Sequence, residues 1–159
     1  MAKDILVAGL GNSLMSDEGV GAAVLAQLRA HGERFPQADF VDLGTSAMRA
    51  LHAMAGRRKA VFVDCALMDE EPGTIRRFTP EQVRSQKALS GLSLHEGDLL
   101  NVIELSRALG ECPEEIVIFG IQPQSIEPGE ALSPALAARL EEYADLIAVE
   151  LSGQQSGAR

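Results

Sequence analysis

Basic side chains, cysteines and long apolar runs are what this chain of 159 residues has little of. Lys and Arg number 14 against 23 Asp and Glu, giving a formal net charge of −9 and a pI near 4.8. Nucleic acid and anionic membrane surfaces both need a basic footprint, so neither is expected as the main partner. The two cysteines, Cys65 and Cys112, lie far apart without CxxC spacing, which argues for reduced, buried small side chains rather than a disulfide. No apolar run approaches the roughly 20 residues that span a bilayer. Lys3 and Asp4 precede the first strand so closely that no signal-peptide apolar region fits, and the cytoplasm is the expected compartment.

Several familiar chemistries are missing as motifs. Gly9-Leu-Gly11-Asn-Ser-Leu14 lacks the third glycine of a dinucleotide fingerprint, and Asp17-Glu18 would repel a pyrophosphate. There is no Walker lysine, so no nucleotide cofactor is expected. There is no Gly-x-Ser-x-Gly elbow for a serine hydrolase either. Cys65 follows Asp64 in a strand, points to the opposite face, and is a poor nucleophile.

What is present is an alternation of strand-length apolar runs with segments of helical period. Ile5–Leu10, Phe40–Leu43, Ala60–Cys65 and Ile116–Ile121 read as strands, the continuously apolar ones buried on both faces of a parallel sheet. Helices are expected over Asp17–Ala30, Ser46–Ala55, His95–Leu109 and Ser133–Leu151. Gly110 stops the third of these, and Ser133-Pro134 opens the fourth. Gly73–Phe78, with Arg76-Arg77, suits an exposed antiparallel edge. Thr79-Pro80-Glu81-Gln82 opens a further short helix with a capping box. Ala88–Leu94 reads as a loop. The pattern predicts a single three-layer α/β/α domain over 1–151, a mostly parallel twisted sheet of about five strands with helices on both faces, and a frayed tail over 152–159.

In such sheets ligands bind beyond the carboxyl ends of the strands. Asp17 and Glu18 follow the first strand, Asp64 ends the third, and His95 follows the long loop. Glu18, Asp64 and His95 would form an O, O, N set suited to nickel, manganese or zinc. Ser93-Leu94-His95-Glu96 has capping-box spacing, which would put His95 in a first helical turn where the dipole keeps its ring neutral. Ser16 is expected to cap the helix that carries Asp17 and Glu18. Each residue also has a plainer explanation. Acidic side chains are common in first turns because the dipole favours them, and a carboxylate at a strand end can serve loop amides. His31 and His52 are read as ordinary surface or core residues. Met15, Met48 and Met54 offer a soft apolar contact near the site, though methionines at helical spacing more often fill cores.

The residues Gly9-x-Gly11-Asn12-x-Leu14-x-x-Asp17-Glu18-Gly19-x-Gly21 resemble the N-terminal signature of the hydrogenase maturation endopeptidases. The likeness continues through Asp42-x-Gly44-Thr45, Val63-Asp64, Ser93-x-His95, Phe119-Gly120-Ile121-Gln122-Pro123, Gly129 and Leu132-Ser133-Pro134. It implies a twisted sheet sandwiched by helices and an endopeptidase that removes a C-terminal extension from the precursor of a nickel-iron hydrogenase large subunit. It implies that cleavage follows nickel insertion, with Glu18, Asp64 and His95 as metal-binding and catalytic residues. On that reading the nickel is supplied by the precursor, and water is activated by metal or by carboxylate, in metallo or aspartic style. Asp42, Gly44 and Thr45 would position the substrate tail, with turn and cap roles the equal alternative for Asp42. A monomer suffices. A non-cleaving nickel-checkpoint chaperone for the same precursor would keep the same ligands, and a hydrolase acting on an unrelated peptide would share the fold.

Overall fold

The computed structural model describes the backbone of residues 2–90, 93–94 and 99–153, and the side chains of all these except 86–90 and 93–94. Four parallel strands form the body of the sheet: β1 (Ile5–Gly9), β2 (Ala38–Asp42), β3 (Lys59–Leu67) and β6 (Glu115–Ile121). With β4 (Ile75–Phe78) antiparallel on β6, the order is β2-β1-β3-β6-β4. A two-residue β5 (Ser93–Leu94) pairs antiparallel with Leu67 and Ala66 at the far end of β3.

Strand alternation builds two separate cores. Val7, Val61, Val63, Val117 and Phe119 face α1 (Val20–Arg29), α5 (Pro134–Ala137) and α6 (Leu140–Ser152), packing on Val24, Leu136, Tyr143 and Ile147. Leu6, Ala8, Ala60, Phe62 and Ile118 face the other way. They meet Ala50 and Met54 of α2 (Arg49–Met54), Val83 of α3 (Pro80–Ser90) and Leu99, Val102 and Ile103 of α4 (Leu99–Ala108). Burial on both faces explains why β1, β3 and β6 read as unbroken apolar runs.

Several expectations hold in detail. β4 is the antiparallel edge. Thr79 and Gln82 form the capping box, with Thr79 N–H donating to Gln82 Oε1 (2.8 Å) and Gln82 N–H to Thr79 Oγ1 (3.2 Å). Gly110 ends its helix at φ 73°.

Others need correction. The first helix does not begin at Asp17, because Ser16–Gly19 form a 3-10 turn and α1 starts at Val20. Ser16 does not cap it; it sits at φ 51°, and its hydroxyl donates to the Glu127 carbonyl (2.6 Å). Ala88–Leu94 is not all loop, since α3 runs to Ser90 and β5 follows. The last helix divides at Arg139 into α5 and α6, and the Ser133 hydroxyl bonds to Asp17 instead of capping. The tail from Gln154 onward lies outside the described residues.

Candidate active site

The parallel strands deliver their carboxyl ends to one edge. Gly9 stands in register with Asp42 on one side and Val63 on the other, and Asp64 with Gly120. Asp42, Gly9, the Val63-Asp64 pair and Gly120 therefore form one row across the sheet. At about 4.8 Å per strand, Asp42 lies about 10 Å from β3.

Glu18 reaches this edge on a turn made possible by glycines. Gly11 has φ 130°, and a Cβ there would run into the Glu18 carbonyl oxygen. Only glycine lets the chain leaving β1 pass so close beneath Glu18. Gly21 likewise packs without a side chain: a Cβ would lie 2.8 Å from the Val63 carbonyl and 3.2 Å from Gly9 Cα. The glycine pattern thus seats α1 against β1 and β3. It shapes a platform for a carboxylate where a phosphate loop would offer amides.

Glu18 is half-buried and Asp64 fully buried. Their proximity is felt by Cys65. Burial pushes its thiol pKa up, and the negative charges of Asp64, Glu18 and Asp17 push it further in the same direction. A thiolate is therefore suppressed, and Cys65 is no nucleophile. Asp64, Glu18 and Asp17 thus bring negative charge to the neighbourhood of Cys65.

Asp17 differs from its neighbour. It is wholly buried, and four donors converge on it. Ser133 N–H meets Oδ1 at 2.7 Å, while Gln124 N–H (2.8 Å), Ser125 N–H (3.0 Å) and Ser133 Oγ–H (2.8 Å) meet Oδ2. Burial, the largest influence, raises its pKa. The hydrogen bonds from Ser133, Ser125 and Gln124 together outweigh it and hold the carboxyl below its ordinary value of 3.8. Its partners lie 107 to 116 residues away, so no local pattern could have revealed this role.

His95 and Glu96 lie outside the described residues, and the Ser93–Glu96 capping box with them; of that box only Ser93 and Leu94 are described, as β5. Leu94, the residue before His95 in sequence, pairs with Ala66, two positions beyond Asp64. Among the described residues no group of three His, Cys, Asp or Glu could hold a metal ion. Of the three residues expected to bind metal, the structure describes Glu18 and Asp64.

Asp42 spends one oxygen on its own turn, accepting from the Gly44 N–H at 2.9 Å. Gly44, at φ 61°, accepts from the Gly11 N–H (2.8 Å), which joins this turn to the platform beneath Glu18. Beyond it opens a cavity of about 510 Å³ lined by Thr45, Ser46, Ala47, Met48, Asn101, Val102 and Leu105, none of them charged. Met48 is 55% exposed on its rim, whereas Met54 is buried in the core and Met15 bridges to Gly129. At the other side of the site, Gln122 pins the segment after β3 by accepting the Met68 N–H at 2.7 Å on its side-chain oxygen.

The chain is thus an α/β/α protein with Asp64 buried in the central strand of its sheet and Asp17 and Glu18 on the turn that follows β1. Residues 22–150 match the family model for hydrogenase maturation protease, and the chain belongs to that family of endopeptidases. It is 31% identical to the hydrogenase 2 maturation protease of Escherichia coli K12, over 86% of this chain and 84% of that protein. It is 28% identical to the hydrogenase expression/formation protein HoxM of Cupriavidus necator, over 87% of this chain and 69% of the relative. The fold superposes on the E. coli hydrogenase maturating endopeptidase HybD with a TM-score of 0.79 at 30% identity, covering 94% and 93% of the two chains. Among the described residues no helix is long and apolar enough to cross a membrane.

Proposed function

We propose that this endopeptidase removes the C-terminal extension of a nickel-iron hydrogenase large-subunit precursor, and that Glu18, Asp64 and His95 recognise nickel already inserted in that precursor. The observation that supports the reading is the collection of Glu18 and Asp64 around the end of β3, next to a third carboxylate. Carboxylate oxygens with an imidazole suit a borderline divalent ion such as nickel. The nickel arrives as part of the substrate, so cleavage waits for metal loading without a stored cofactor.

Hydrolysis needs a water oxygen to attack the scissile carbonyl carbon, a base to take the water's proton, and a proton for the departing amine. A carboxylate of Glu18 or Asp64 takes the first proton and returns it to the nitrogen as the C–N bond breaks. The water is polarised by nickel or by the carboxylate alone. The uncharged cavity lined by Thr45 receives the substrate tail, which Asp42, Gly44 and Thr45 position. The protein works as a monomer on a cytoplasmic precursor.

The test mixes purified protein with nickel-loaded and nickel-free precursor and follows the extension by intact mass. Loss of the extension only from the loaded precursor, abolished by Glu18→Ala and His95→Ala, is the expected result. Equal cleavage of both forms would refute nickel recognition. Binding without cleavage would leave the checkpoint chaperone in its place.

A further inference from the structure

Asp17 is too enclosed to meet a substrate, yet it is the most heavily bonded carboxylate on the described side of the site. We propose that Asp17 is the positioning residue for Glu18: it clamps the loop Gln124–Ser133 onto the turn Leu14–Gly19 and thereby fixes the backbone from which Glu18 projects. The inference rests on the reading of Glu18 as a functional carboxylate.

The turn has little regular helix to hold it. Its polar groups are satisfied from the distant loop instead. Ser16 N–H donates to the Gly129 carbonyl (2.7 Å), Gly129 N–H to the Leu14 carbonyl (2.8 Å), and Asp17 N–H to the Ser125 carbonyl (3.0 Å). Ser16 Oγ reaches the Glu127 carbonyl, and four donors from Gln124, Ser125 and Ser133 close on the Asp17 carboxylate. Within this set Ser16 is held at φ 51°, a left-handed conformation that a serine adopts only where surrounding bonds over-determine it. On the opposite side the turn rests on Gly11, whose missing side chain admits the Glu18 carbonyl. Glu18 is therefore gripped from two sides, by contact at Gly11 and by the loop through Asp17.

A carboxylate is the group this role needs. All four partners are donors, three on one oxygen and one on the other. An amide of the same shape would turn an NH2 group toward an N–H or an O–H, losing a bond and adding a repulsion. Supporting residues of this kind commonly change activity by 10- to 100-fold when altered.

The experiment measures kcat and KM for cleavage of nickel-loaded precursor by the parent, Asp17→Asn, Ser133→Ala and Glu18→Ala, with thermal melts of each. Asp17→Asn is expected to lower kcat about tenfold or more at unchanged KM, counted per folded molecule. Ser133→Ala, which removes one donor, should lower it severalfold in the same way. Parental kcat in both variants, with lower melting temperatures, would overturn the inference and reduce Asp17 to a fold-stabilising group. Should Asp17→Asn fail to fold, Ser133→Ala decides by the same split. Full activity in Glu18→Ala would defeat the reading of Glu18 and this inference together. A dead Glu18→Ala beside a normal Asp17→Asn would defeat this inference alone.

Discussion

At the amino end of β3 the buried ammonium of Lys59 meets Glu150 Oε2 at 2.7 Å, the Glu150 carbonyl at 3.2 Å and Glu115 at 3.4 Å, while Arg77 closes on Glu150 from the other side at 2.7 and 3.0 Å. At the carboxyl end of the same strand, Asp64 lies beside Cys65 in the field of Glu18 and Asp17, charges of one sign. The first end neutralises its charges within the fold. Among the described residues the second accumulates carboxylates. A buried ion network with both signs present fastens α6 and β4 to the sheet; Glu18 and Asp64, brought from the turn after β1 and from β3, are read as kept for what they bind.

The largest effect should come from the accumulating end. Glu18→Ala or Asp64→Asn is expected to lower cleavage of the precursor on the order of 100-fold or more, in an assay by intact mass. Gly11→Ala strains a left-handed backbone and drives a methyl into the Glu18 carbonyl. It should cost about 2–3 kcal/mol in chemical denaturation and reduce cleavage with it. At the neutralised end, Lys59→Met leaves Glu150 buried with Arg77 still bonded to it. A loss of about 3 kcal/mol is expected, some 6–12 °C in melting temperature, with cleavage per folded molecule unchanged.

The pH dependence of stability sharpens the contrast between Asp17 and its neighbours. Asp17 is held below its ordinary value of 3.8, so it binds its proton later than in the unfolded chain as pH falls. Its stabilisation is complete above that value and is lost as pH drops through the lower folded-state pKa. Thermal melts between pH 5 and pH 2 should show this acid-side decline. Asp17→Asn should flatten its share of it. The smallest expected effect is at Thr79→Ala, where loss of one cap bond of α3 should cost about 1 kcal/mol and leave cleavage unchanged.

Much of the architecture could be read directly from residue patterns because its causes are local. The unbroken apolar runs of β1, β3 and β6 reflect burial on both faces, and Thr79 with Gln82 makes its cap within one turn. The candidate carboxylates were legible for the same reason, since Asp64 interrupts an apolar run and Glu18 follows a glycine turn, although β3 does not end at Asp64 as expected and runs on to Leu67. The details that escaped are those decided across the fold. Ser16 and Ser133 have the chemistry of helix caps, but one hydroxyl bonds the Glu127 carbonyl and the other Asp17, so neither side chain caps a helix, although Ser133 stands at the N-cap of α5. Asp17 looks like a first-turn acid, and only the loop more than a hundred residues away makes it a clamp. β5 exists because the end of β3 offers it an edge, which two residues of sequence cannot announce.

The division between the two ends of β3 is tested most directly by the cleavage rate of Asp64→Asn, counted per folded molecule on nickel-loaded precursor. The account predicts a folded protein that melts with the parent and has lost cleavage. A variant that melts well below the parent but cleaves at the parental rate would contradict it, placing Asp64 with Lys59 among the groups that hold the fold.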